Sequence, residues 1–396
     1  MDVTAPVARL ATAAALMLRL LTARSLQPSH AGALLRADDT GLHLIGTDGE
    51  VVVHLRVPAT VHTPGEVVVP RRAVAETLTA LDAADARLTV QGGRLAIRVP
   101  GARFALPSLP GATPPTVPLP PAHGTVTGDD LRTAAVPVAG AASREHALPM
   151  FTGVRLRTHD TALTLLATDR FRLATASIPW HAALPPATAT PTDTDAASRA
   201  TAGSIGAATG GSRVEALVPA AVLARAAQQL SRIPAVHVHA ADDVFALSWD
   251  GGSITTATLG GGYPDAQLSR LLDIAPACTV EVDADTLAHA VDRAAAYGGA
   301  HGRVTLQAID GALLVRADDP LTGESEQTVK ATTDGAHTIR SFQARLLLDA
   351  LRAFPHHTVQ LRIQEGMRAT AFTADLPAAT LDYLVVPLRT PPSTDT

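Results

Sequence analysis

One pattern occurs three times along the 396 residues and restricts the fold more than any other feature. Each copy has a run of alternating apolar residues, a polar turn at Gly or Asp, a second alternating run, and then a helix candidate. The first copy is GALLRADDTGLHLIGTDGEVVVHLRV at 32–57 with VVVPRRAVAETLTAL at 67–81; the second is GVRLRTHDTALTLLATDRFRLATASI at 153–178 with ALVPAAVLARAAQQL at 216–230. The third is RVTLQAIDGALLVRADD at 303–319 with TIRSFQARLLLDALRAF at 338–354. After each helix comes a further strand pair, LTVQGGRLAIRV, VHVHAADDVFALSW or VQLRIQEGMRATAF, with two-residue turns expected at Gly92-Gly93, Ala241-Asp242 and Glu365-Gly366. Before each copy lies another helix candidate, at 6–22, 128–142 and 283–297.

A period this long is a domain, not a solenoid repeat. The expected fold class is α+β, with three tandem domains of two helices packed on two antiparallel sheets. Two Pro-rich or Gly-rich stretches, LPGATPPTVPLPPAHG at 109–124 and GGYPDAQLSRLLDIAP at 261–276, read as linkers. They place the domains at 1–122, 123–268 and 269–396. Residues 184–213 hold Ala, Thr, Pro, Ser and Gly with almost no large apolar side chain, and read as a disordered insertion in the middle domain.

Hydrophobic residues are 46% of the chain but aromatics only 3%, so the cores must be built from Ala, Val and Leu. The single cysteine, Cys278, rules out a disulfide framework and a thiolate metal set. The apolar run at 13–21 is interrupted by Arg19 and followed by Arg24, too short to span a bilayer and unlike a signal peptide. A soluble cytoplasmic protein is expected. A net charge of −5 offers no global attraction to nucleic acid, so any such binding needs a local basic surface.

Catalytic signals are weak. The chain has no phosphate loop, nucleophile elbow or HExxH. HVH at 237–239 puts His237 and His239 on one strand face and His356 adjoins His357, but no third ligand lies near either, and a solvent-facing strand edge accounts for the first pair. No metal or cofactor is expected. A hydrolase using such a histidine with Asp169 is the remote alternative.

ALPMFTGVRL at 147–156, LTLLATDRFRLA at 163–174, GGYPD at 261–265 and YLVVPLR at 383–389, set within the triple repeat, resemble the bacterial sliding clamps, the beta subunits of DNA polymerase III. That resemblance implies a processivity factor with no catalytic activity: a head-to-tail homodimeric ring of six domains, helices lining a hole for duplex DNA. It implies a pocket on the outer face for short Gln-Leu-x-Leu-Phe motifs of the polymerase alpha subunit, the clamp loader and repair polymerases. Carried over by position, Phe151, Thr168, Arg172 and Leu173 line the pocket from the middle domain, with Leu384, Val386, Pro387, Leu388 and Arg389 completing it. Thr168 and Arg172 would fix the polar groups of the peptide. Phe104 and Leu106, in an edge strand at 101–109, would meet Ala296 and Tyr297 of a second copy.

Sequence-independent phosphate contacts are expected from Arg24, from Arg71 and Arg72 opening a helix, and from the pairs Arg225/Arg232 and Arg345/Arg352, each seven apart on a helical face. Asp349 can pair with Arg345 at i,i+4, and Asp285 and Asp292 share another face. Two departures from the family pattern, the drift near residues 26–32 and the TPPSTDT extension past Arg389, keep a specialised or inhibitor-tolerant paralogue as the alternative.

Overall fold

Among the described residues the period-two runs become nine strands in each of three domains, arranged in two antiparallel half-sheets. The structure, a computed structural model, describes residues 1–22, 28–109, 113–145, 147–183, 213–377 and 379–389. In the first domain four strands lie in the order Val51–Val57, Gly41–Thr47, Gly32–Asp38, Gly65–Pro70, and five in the order Thr60–Thr63, Asp2–Pro6, Asp85–Gln91, Arg94–Val99, Ala102–Pro107. The other two domains repeat both orders.

The half-sheets do not stay within their domains. Gly252–Ala257 of the middle domain pairs with Val51–Val57 of the first, setting Ile254 opposite Val53 and Thr256 opposite Val51. Thr380–Val385 of the third pairs with Arg172–Pro179 of the middle one, setting Leu384 opposite Leu173 and Val385 opposite Arg172. The result is two nine-stranded sheets across the junctions, with a five-stranded sheet at one end and a four-stranded sheet at the other. Junction pairing joins the half-sheets of neighbouring domains, because each otherwise ends in an unpaired edge.

The described residues hold seven α-helices: α1 (Val7–Leu20), α2 (Arg71–Thr79), α3 (Gly128–Gly140), α4 (Ala220–Leu230), α5 (Asp265–Leu271), α6 (Ala284–Ala295) and α7 (Ala344–Leu351). α1 buries Val7, Leu10, Ala14, Met17 and Leu20, a stripe at three- and four-residue spacing. Caps fix two starts: the Asp130 amide donates to Thr127 Oγ1 at 3.1 Å ahead of α3, and the Thr286 amide to Asp283 Oδ1 at 2.7 Å ahead of α6. α1 packs on α2, α3 on α4 and α6 on α7, while α1 meets α4 and α3 meets α7 across the junctions, so these six helices form one layer and α5 lies on the opposite face of the sheets. A Cβ at Gly128 would stand 1.8 Å from Leu230 O, which is why the start of α3 can close on the end of α4.

Alternation sorts the side chains. Ala174, Ala176, Tyr383 and Val385 point into the main core under the helices, whereas Leu173 and Leu384 turn to the opposite face. The core is Leu, Val and Ala, with Tyr383, Phe342, Phe354 and Phe372 as its largest fully buried members.

Several elements differ from the sequence reading. Asp2–Pro6 is a central strand ahead of α1, recruited by its neighbours despite its Ala and Pro. Gly323–Lys330 completes the third domain, and its GESEQTVK buries only Val329 because it is an exposed edge. The chain between Thr358–Ile363 and Thr370–Thr373 is a six-residue loop, 364–369, rather than a two-residue turn, and 241–243 is a three-residue one. Part of the second linker is α5, which spans the expected 268/269 boundary, and the strand Ala122–Val126 spans the 122/123 one. Apart from Arg213, the expected insertion lies outside the described residues, as does the C-terminal extension. No helix among the described residues is long and apolar enough to cross a membrane.

Candidate functional site

The hairpin turn Thr168-Asp169-Arg170-Phe171-Arg172 is built by its own side chains. Thr168 Oγ1 donates to Arg172 O at 2.6 Å and accepts from the Arg170 amide at 3.0 Å. Asp169 Oδ1 accepts from the Phe171 and Arg172 amides, both at 3.0 Å. Its other oxygen accepts from Arg172 Nε at 2.9 Å, and Arg172 Nη1 reaches Asp349 Oδ2 on α7 at 2.5 Å and Tyr383 Oη at 3.4 Å. Burial alone would lower the Arg172 pKa; Tyr383 and the two carboxylates outweigh it and hold it raised. Burial pushes the Tyr383 phenol up to about 12.

Two expectations fail here. Arg172 cannot line the apolar pocket beside Leu173, because strand neighbours face opposite ways: its guanidinium, 1% exposed, lies on the helix side between Asp169 and Asp349. Thr168 is buried and its hydroxyl is used by the turn, so neither residue is offered to a peptide. Asp349, expected beside Arg345, takes Arg172 instead.

On the face away from the helices, Leu173 and Leu384 join Leu268 and Ala371 in a small apolar cluster separate from the main core, with Leu166, Tyr263, Leu272, Ile274 and Ala369 packed around it. Leu268 comes from α5. Phe151 is half-buried and meets Tyr263 edge to face, ring centroids 6.3 Å apart. The Tyr263 hydroxyl is buried with no hydrogen-bond partner among the described residues, and burial drives its pKa upward. Above this floor the lip is open: Phe171 is 59% and Val386 40% exposed, and the Val386 amide donates to Phe171 O at 2.9 Å. Pro387 is buried, Leu388 is half-buried and bonded through its amide to Ser341 O at 2.7 Å, and Arg389 is exposed. The structure thus gathers Phe151, Leu173, Leu384 and Val386. The sequence reading missed Tyr263, Leu268 and Phe171; the LxxLL spacing at 268–272 was the available signal.

The arginines separate into two groups. Arg71 is buried, its Nη2 2.5 Å from Thr22 O, and burial lowers its pKa. Arg225 donates to Leu20 O at 2.8 Å and stands 3.9 Å from Asp48, bridging α4 to the end of α1. Both were expected to face DNA, and both are instead held by carbonyls inside the helix layer. Arg232 and Arg345 are exposed; Arg72 is exposed beside Glu76 and Arg352 beside Asp292. Arg24 lies outside the described residues. Exposed arginines not singled out before, Arg132 and Arg144, line a 460 Å³ cavity with Arg352 between α3 and α7.

His239 is buried rather than solvent-facing: Pro120 O lies 2.7 Å from Nδ1 and Ser248 Oγ 2.8 Å from Nε2, on a strand inside the sheet. No histidine hydrogen-bonds to Asp169 among the described residues.

Three nine-strand domains joined edge to edge beneath one helix layer, with a free edge at each end, are the architecture of a clamp protomer. Models of the N-terminal, central and C-terminal domains of the DNA polymerase III beta subunit match residues 1–118, 125–192 and 270–389. The chain is 28% identical to the beta sliding clamp of Streptomyces coelicolor, covering 96% of this chain and 97% of that one. It is 26% identical to the beta sliding clamp homolog GriR of Streptomyces muensis, covering 94% of each. The fold superposes on the Bacillus subtilis sliding clamp with TM-score 0.83 at 21% identity, over 99% of this chain and all of that one. A Pseudomonas aeruginosa clamp bound to griselimycin gives 0.82 at 23%, over 98% and 100%. The chain belongs to the DNA polymerase III beta subunit family, the bacterial sliding clamps.

Proposed function

We propose that two copies close head to tail around duplex DNA in the cytoplasm and tether the replicative polymerase and other partners for processive synthesis, with no catalysis and no cofactor. The observation that carries this is the pair of free edges: Ala102–Pro107 ends a five-stranded sheet and Gly323–Lys330 a four-stranded one, and together they would make a third nine-stranded sheet. The internal junctions supply its register. Phe104 corresponds to Ile254 and Ser325 to Val53, so Phe104 lies opposite the partner's Ser325, Leu106 opposite its Gly323, and Arg103 opposite its Glu326. A Cβ on Gly323 would lie 4.0 Å from the Tyr297 ring, which supports the reading that Tyr297, with its neighbour Ala296, meets Leu106 in the closed ring.

Exposed Arg72, Arg232, Arg345 and Arg352 then contribute weak phosphate contacts, while topology supplies retention. The apolar cluster under the Phe171–Val386 lip takes the partner peptides. The family models, matching 1–118, 125–192 and 270–389, support three successive domains. The test is loading onto nicked circular DNA: the protein should stay until the circle is cut and then leave, whereas equal retention on cut and uncut circles would contradict encirclement. Replacing a resident clamp gene with this one separates a housekeeping role, which restores viability, from that of a specialised paralogue, which does not.

A further inference from the structure

The domain repeat provides an internal control for the hairpin turn. In the first domain Thr47-Asp48-Gly49-Glu50-Val51 makes the same bonds: the Gly49 amide to Thr47 Oγ1 at 3.0 Å, Thr47 Oγ1 to Val51 O at 2.8 Å, and the Glu50 and Val51 amides to Asp48 Oδ1 at 3.3 and 3.0 Å. The residue after the aspartate is left-handed in both, φ +97° at Gly49 and φ +77° at Arg170. In the third domain the corresponding turn is one residue longer: Pro320 follows the aspartate, and Gly323, left-handed at φ +92°, takes the position of Val51. The first copy uses the residue that adopts this conformation without a Cβ clash, and the middle copy holds an arginine there against the steric preference. The bonds to Thr168 and Asp169 over-determine the turn enough to hold it.

Arg170 is exposed and makes no ion pair among the described residues. Phe171, next in sequence, is exposed with Val386 bonded to its carbonyl, so the residue that carries the cation adjoins the apolar lip. Apolar neighbours and a free guanidinium suit a peptide carrying a carboxylate next to its hydrophobic anchors; nucleic acid would call for phosphate contacts along a basic surface. We propose that Arg170 is a specificity-determining residue of the pocket, selecting partner peptides with an acidic residue flanking the Leu and Phe anchors. This rests on the peptide-pocket reading above.

The test uses the full chain and two labelled peptides, Gln-Leu-Ser-Leu-Phe flanked on both sides by Asp or by Ser. Wild type should bind the Asp-flanked peptide about three- to fivefold more tightly at low salt, the size of a partly exposed ion pair, and the preference should fade with added salt. Arg170→Gly, which installs the residue the first domain uses, should keep Tm and the Ser-flanked affinity while abolishing the preference; Arg170→Lys should retain most of it. Equal binding of both peptides by wild type, or a preference that survives Arg170→Gly, would overturn the assignment. So would Arg170→Lys behaving as Arg170→Gly, or Arg170→Gly reducing duplex-DNA affinity instead. Failure of both peptides to bind wild type would sink the pocket reading itself, a result distinct from loss of the preference.

Discussion

Arg225→Ala discriminates between a DNA contact and a junction brace, because the two roles move different observables. Its Nη1 donates to the Leu20 carbonyl at 2.8 Å and stands 3.9 Å from Asp48, whose carboxylate holds Thr22 and the 48–51 turn. A hydrogen bond from a charged donor is worth about 1.5–3 kcal/mol where it is buried, and this side chain is 24% exposed, so about 1–2 kcal/mol should be lost. For a chain of this size that lowers Tm by about 1–2.5 °C. The slope of log K against log salt on a short duplex, read by fluorescence anisotropy, should stay unchanged. Arg232→Ala and Arg345→Ala should behave in the opposite way, each flattening the slope by up to about 0.9 with Tm unaltered. A flatter slope with unchanged Tm for Arg225→Ala would refute the reasoning and return Arg225 to the DNA surface.

Phe104→Arg with Leu106→Lys puts two charges on the free edge beside Tyr297, and sedimentation at micromolar concentration should then show monomer where wild type shows dimer; a dimeric variant would reject the edge pairing. Leu173→Ala should weaken binding of a Gln-Leu-x-Leu-Phe peptide by about 2 kcal/mol, roughly thirtyfold, in titrations checked for retained fold, whereas Arg170→Ala should cost far less with that uncharged peptide. Asp48 links stability to acid: burial alone would raise its pKa, but the hydrogen bonds from Thr22, Val51 and Glu50 outweigh it and leave it lowered. A carboxylate lowered in the folded state adds stability above its unfolded pKa of about 3.9 that is lost as pH falls through the folded value, so Asp48→Asn should show a smaller drop in Tm between pH 5 and 3 than wild type.

What the sequence made legible follows from where each constraint acts. Strands with one buried face announce themselves by alternation, so the first and second repeats were readable at 32–57 and 153–178. Gly323–Lys330 was not, because GESEQTVK has one side chain in the core and the rest face water; an edge that waits for another chain looks like a loop from its composition. Arg225 and Arg232 are the same residue type with no acid between them, and only the packing of α1, some two hundred residues earlier in the chain, makes one a brace and leaves the other exposed.

The ATDRFRLA hairpin is different, since its decisive constraint was local and available. Arg172 and Leu173 are consecutive in a strand, so at most one of them can face a pocket, and the apolar neighbour must be the one over the cluster of Leu268, Ala371 and Leu384. Transferring a family pocket position by position obscured that alternation. Once it is restored, the two arginines of the hairpin have separate tasks. Arg172 reaches Asp349 on the helix side and ties the turn to α7, and Arg170 is left exposed beside Phe171, in a conformation the matching turn of the first domain gives to glycine. A Leu173→Ala loss with Arg172 intact, set against an Arg172→Ala variant that falls in Tm because Asp349 and Asp169 lose their buried partner, would show that the pocket and its brace are distinct faces of one strand. If Arg172→Ala instead kept Tm and lost only the peptide, the guanidinium would belong to the pocket after all.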